Sequence, residues 1–170
     1  LKEGVCTDFA NKEGVAKLLL FESSALGKGE LTSMDEYMTR QAPTQDKIYY
    51  LLAPDRAMAE ASPYYETFKK NGVEVLFMYT AIDDFVMNNL SQYNGRMLVS
   101  GESKDVDVGT GTNDESEDAA EDAAAHDGLV AWLKDALSDR VREVKTTTRL
   151  SDSPAIVTDH ESAALRRMMQ

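Results

Sequence analysis

A formal charge of −12 spread over 170 residues argues against a nucleic-acid binder, which needs a basic footprint. With 42% hydrophobic and 28% charged residues, the chain has the composition of a soluble globular protein. It is long enough for one ordinary domain or two small ones, and its apolar runs fall short of the roughly 20 residues that span a bilayer, so no membrane partner is expected.

The charge is concentrated. Residues 102–127 carry ten acids against one base, Lys104, so this segment holds −9 and the rest of the chain only −3. The single cysteine, Cys6, leaves no intrachain disulfide to form and suits a reducing compartment. Leu1 is not an initiator Met and no signal-like segment follows it, so targeting information is expected to be absent or removed.

In chain order, Val15, Leu18, Leu19 and Leu20 predict a helix over 11–21 with an apolar stripe. Gly27-Lys28-Gly29 breaks the chain, and Ser33 with Glu36 matches a capping box opening a helix whose inward face is Met34, Tyr37 and Met38. Residues 47–53 read as a buried strand closed by Pro54-Asp55, with a short helical turn over 56–61. Ser62 and Pro63 then start a helix that Asn71-Gly72 ends. Residues 73–79 are a second buried strand, and Ile82, Val86 and Leu90 repeat at helical spacing behind it. Strands separated by helices predict a parallel α/β sheet. Asn94-Gly95 marks a turn before a last strand at Met97-Leu98-Val99.

Residues 101–126 lack large apolar side chains and read as an acidic linker, helical at most over 118–125. Asp127 is the expected N-cap of a helix with the stripe Leu129, Trp132, Leu133, Ala136 and Leu137. Alternation over 144–150 predicts a half-exposed strand, Ser153-Pro154 a turn and Ala155–Val157 a short strand. A helix over 161–170 would be cut by the chain end, which predicts a fragment of a longer protein.

No motif of covalent or metal chemistry stands out. Gly109-Thr110-Gly111-Thr112 sits in an acidic tract without the strand and helix a phosphate loop needs. His160-Glu161 begins like a zinc-protease helix, but the second histidine position is Ala164, and His126 has no thiol or structured serine near it in sequence. Two surfaces suited to binding remain. On the helix after Thr80, Asp84 and Asn88 lie four residues apart, on the side opposite the stripe and facing water, while Phe85 sits at the boundary, as core or as contact. On the terminal helix, Leu165, Met168 and Met169 lie beside Arg166 and Arg167, and methionine adapts to irregular apolar partners.

As an ordered set, Ile48-Tyr49-Tyr50, Ser62-Pro63-Tyr64, residues 73–78, Ile82-Asp83-Asp84-Phe85-Val86-Met87, residues 141–150 with Ser153-Pro154-Ala155, and Ser162-Ala163-Ala164-Leu165 resemble the heat-shock protein 90 chaperones. Leu51–Arg56, Ala59-Glu60, residues 62–66 and Ser23-Ser24-Ala25-Leu26 are most similar to the family's mitochondrial, tumour-necrosis-factor-receptor-associated branch, although the linker is more acidic. The resemblance implies that residues 1–100 are the end of the middle domain with its small three-layer α/β/α subdomain. Residues 101–126 are then the linker, and 127–170 the start of the α+β C-terminal dimerisation domain. It further implies an ATP-driven chaperone that binds unfolded clients in protein folding and the stress response. The ATP and magnesium site, and the arginine directed at the γ-phosphate, would lie before Leu1. The homodimer interface would lie largely after Gln170, so no cofactor, metal or catalytic residue is expected here. Family client-binding positions match Asp84, Phe85 and Asn88, with Phe85 in place of a larger aromatic. An amphipathic client-binding segment corresponds to roughly 162–169, with Leu165, Met168 and Met169. The implied compartment is the mitochondrial matrix, with the cytoplasm as alternative.

The rival reading is a self-contained flavodoxin-like ligand-binding or enzyme domain. It would need a substrate or phosphate loop at the carboxyl ends of the strands, where Ala53-Pro54-Asp55 and Tyr79-Thr80-Ala81 lack the glycines and bases.

Overall fold

The computed structural model describes residues 2–8, 10–103, 106, 108, 118–147, 150 and 152–158, with 118–126 by backbone alone. In chain order these form α1 (Lys2–Thr7), α2 (Lys12–Ala16), β1 (Leu20–Ser23), β2 (Leu31–Ser33), α3 (Met34–Arg40), β3 (Lys47–Leu52), α4 (Arg56–Glu60), α5 (Pro63–Lys70), β4 (Leu76–Met78), α6 (Ala81–Leu90), β5 (Gln92–Tyr93), β6 (Arg96–Ser100) and α7 (Asp118–Ala136).

Local chemistry sets many of these boundaries. The Ser33 hydroxyl accepts from the Glu36 N–H at 3.2 Å while the Glu36 carboxylate accepts from the Ser33 N–H at 2.9 Å, closing the capping box of α3. Ser62 caps α5 by accepting from the Tyr64 N–H, with Pro63 at the first helical position. Gly72 follows α5 at φ +63°, the left-handed conformation that lets the chain turn out of a helix. Asn94 and Gly95, at φ 51° and 79°, make the two-residue turn that pairs β5 with β6.

The strands form one six-stranded sheet in the order β2-β1-β4-β3-β6-β5. Its centre is parallel, with β3 between β4 and β6, as expected of an α/β chain. Its flanks are antiparallel, through β1 with β2 and β4 and through β5 with β6, so the sheet is mixed. Successive residues of β3 enter opposite cores. Ile48, Tyr50 and Leu52 join Leu76 and Met78 beneath α1, α2, α3 and α6, through Val5, Ala16, Met34, Tyr37, Val86, Met87 and Leu90. Tyr49 and Leu51 join Phe77 beneath α4 and α5, through Ala59 and Phe68. A sheet covered on both faces needs apolar residues at every position, which is why these strands read as continuous apolar runs. The result is three layers, α/β/α.

A polar network ties one edge of the sheet together. Glu22 of β1 accepts from Tyr79 at 2.9 Å, from Arg56 at 3.2 Å and from the Gly29 N–H at 3.2 Å. Burial pushes the Glu22 carboxyl up, but these hydrogen bonds and the Arg56 charge hold it below the ordinary value of 4.5. Arg56 also donates to the Leu26 carbonyl at 2.7 Å, locking the turn after β1 to α4.

Several elements differ from expectation. The helix predicted over 11–21 stops at Ala16, and the remaining apolar residues alternate instead. Leu18 and Leu20 are exposed while Leu19 and Phe21 are buried, because pairing with β2 on one side and β4 on the other draws residues 20–23 into the sheet. The strand expected over 73–79 is regular only over Leu76–Met78. α7 passes through Asp127 without a break, so Asp127 lies inside a helix and caps nothing. Residues 144–147 and 155–157 form no strand, since alternation makes a strand only where a neighbouring edge supplies hydrogen bonds. The Gly109–Thr112 loop, the helix expected over 161–170 and His160 lie outside the described residues, as does the His126 side chain.

Candidate functional site

α6 is held at its start by an acid. The Asp83 carboxylate accepts from the Thr80 N–H at 3.2 Å and from its hydroxyl at 2.6 Å, and its other oxygen pairs with Lys2 Nζ at 2.5 Å. Asp83 is buried, so α1 is fastened to α6 by a charge pair as well as by the packing of Val5. Val86, Met87 and Leu90 turn into the core, and Ile82 is only half-buried. Lys12 donates to the Asn89 carbonyl at 3.3 Å, bringing the start of α2 to the far end of α6.

One face stays open. Phe85 is 47% exposed, and Asn88, three residues on, is exposed beside it. The alternative that Phe85 is a core residue is set aside by that exposure. Asp84 corrects the expectation that it faces water with Asn88, since it is only 8% exposed. Its burial puts it on the covered side of α6, where its charge lies near Tyr50 of β3, as does that of Glu102. Burial pushes the Tyr50 phenol well up, and the nearby charges of Asp84 and Glu102 push it further in the same direction. Of the six residues singled out from sequence, Phe85 and Asn88 therefore share one open helix face and Asp84 lies buried behind them. Leu165, Met168 and Met169 lie outside the described residues. The Lys2–Asp83 pair escaped sequence reading. Thr80 followed three residues later by Asp83 is a cap signal, but nothing local points from Asp83 to Lys2.

The carboxyl edge of the sheet, where an α/β enzyme would place its ligand, is already occupied by the chain's own acids. Asp55 accepts from the Met58 N–H at the start of α4, and Asp83 closes the start of α6. Each carboxylate takes one amide donor at or beside a helix start and would repel a phosphate there by charge. Among the described residues, no group of three or more His, Cys, Asp and Glu side chains could hold a metal ion. Among them too, no helix is long and apolar enough to cross a membrane.

Comparison with known proteins bears on the same chain. A family model described as "Hsp90 protein" matches residues 1–170. The chain is 40% identical over 172 residues to "TNF receptor-associated protein 1 homolog, mitochondrial" of Dictyostelium discoideum, covering 99% of this chain and 24% of that protein. It is 37% identical over 174 residues to "Chaperone protein HtpG" of Desulfitobacterium hafniense, covering 100% of this chain and 28% of the relative. "Chaperone protein HtpG" of Shewanella pealeana is 40% identical over 172 residues, with 100% and 27% covered. The chain thus spans about a quarter of the length of the curated relatives it matches.

Proposed function

The chain belongs to the Hsp90 protein family, and from that membership we propose that it is the client-contacting and domain-coupling part of an ATP-dependent molecular chaperone. The observation that carries this reading is the open Phe85–Asn88 face on a helix whose other sides are packed. An aromatic ring flanked by an amide, on a helix that covers one face of the sheet, can take an apolar segment of an unfolded chain while a polar neighbour satisfies its backbone. Leu165, Met168 and Met169 supply a second apolar patch. Two weak patches acting on one unfolded chain bind more strongly than either alone. Nothing favours the flavodoxin-like alternative, and Asp55 and Asp83 argue against it.

Family membership supports a wider reading. Residues 1–100 are the end of a middle domain, 101–126 an acidic linker whose last part, from Asp118, is already in α7, and 127–170 the start of a C-terminal domain that dimerises in the longer protein. ATP and magnesium bind elsewhere in that longer protein, which works on unfolded clients in the mitochondrial matrix. A Glu-specific protease cutting first within 101–126 supports the division, and first cleavage elsewhere counts against it.

The direct test uses fluorescence anisotropy of a labelled, permanently unfolded model protein against the same protein in its native form. Binding of the unfolded form alone is expected, together with no heat of specific binding on titration with magnesium-ATP. A micromolar nucleotide site lost on mutating a residue of this chain, or equal binding of folded and unfolded forms, overturns the reading.

A further inference from the structure

We propose that Glu66 forms a releasable clasp that holds the segment 152–157 against α5. The Glu66 carboxylate accepts from the backbone N–H of Asp152 at 3.2 Å and of Ser153 at 3.3 Å, and from the Ser153 hydroxyl. Two successive amides and a hydroxyl converging on one carboxylate form a small anion cradle, built by the chain for its own side chain. Tyr64, two residues earlier on α5, donates its hydroxyl to the Val157 carbonyl at 2.6 Å. The segment is therefore gripped at two points, 86 to 93 residues distant in sequence.

What makes the grip releasable is the exposure of the segment it holds. Asp152, Pro154, Ala155 and Val157 are exposed, and the segment forms neither helix nor strand. Of its apolar side chains Ile156 alone is half-buried, so breaking the Glu66 contacts costs little hydrophobic energy. Glu66 sits on a helix anchored through Phe68 beneath the sheet. A carboxylate carried by a rigid helix and caught by a loop is a contact that can open without unfolding either partner.

Hydrogen exchange in the intact protein tests this. In Glu66→Ala, exchange at the Asp152 and Ser153 amides should quicken about ten-fold or more, the loss of a hydrogen bond to a charged acceptor, while β3 amides stay protected. Glu66→Asp keeps the charge but shortens the reach by one methylene, and should quicken exchange at the same two amides. If Glu66→Ala also exposes β3, Ser153→Ala decides, because it removes one donor and leaves α5 intact. It should quicken exchange at residue 153 alone or with 152, with the combined Glu66→Ala and Ser153→Ala effect clearly less than additive. Unchanged exchange at 152 and 153 in Glu66→Asp and Ser153→Ala, or additive effects, overturns the clasp.

Discussion

Phe85→Ala separates a binding ring from a packing ring. With 47% of the residue exposed, about 95 Å² of a roughly 200 Å² side chain is open to a partner. At about 25 cal/mol per Å², covering it is worth at most about 2.4 kcal/mol, so an unfolded client should bind up to roughly 50-fold more weakly. The buried half of the ring sets the cost to folding. A fully buried Phe→Ala change costs about 3–5 kcal/mol, and a half-exposed ring on a helix that gains from alanine's higher propensity should cost about 1–2. The assay is anisotropy of a labelled unfolded client read beside the urea midpoint of each variant. Asn88→Ala, on the same open face, should weaken binding modestly and leave the midpoint in place. A Phe85→Ala loss of about 3–5 kcal/mol in stability with client affinity unchanged would show the ring to be structural and refute the reasoning.

Asp83→Asn should lower stability by about 2 kcal/mol, since it weakens a helix cap and leaves Lys2 without its charge partner; Lys2→Met should cost less, because Lys2 is partly exposed, and urea midpoints read both. Glu22 is held below its ordinary value in the folded protein, so its contribution is full at neutral pH and is lost as pH falls through the folded value. Glu22→Gln should therefore flatten the fall in stability as pH drops below about 4.5, as read by urea midpoints against pH. Gly72→Ala places a Cβ in open space but at φ +63°, so it should cost about 1 kcal/mol through backbone strain alone, with an unchanged denaturant slope.

The elements that could be read from the chain are those whose cause is local. Ser33 with Glu36, Ser62 with Pro63, Asn71-Gly72 and Asn94-Gly95 each carry their own hydrogen bond or dihedral requirement, and the structure forms each of them. The covered apolar runs of β3 and β4 were legible for the same reason. What misled was pairing at a distance. Leu18, Leu19 and Leu20 suit a helix or a strand equally, and only β2 and β4 decide between them. Asp84 reads as solvent-facing on a helical wheel with one apolar stripe, whereas the fold buries it near Tyr50, a residue distant in sequence. Val144 to Leu150 has the alternation of a strand, and residues 144–147 find no edge to pair with among the described residues. For the candidate site, family resemblance drew attention to Phe85 and Asn88, and tertiary packing determined which of their neighbours stayed open.

The most direct measurement of the central claim is amide chemical-shift mapping of the protein on adding an unfolded model client. The account predicts shifts concentrated at Phe85, Asn88 and their neighbours in the second half of α6, with a second set within 162–169 and none at Asp55 or Thr80. Shifts clustered instead at Asp55 and Thr80, at the carboxyl edge of the sheet, would contradict it.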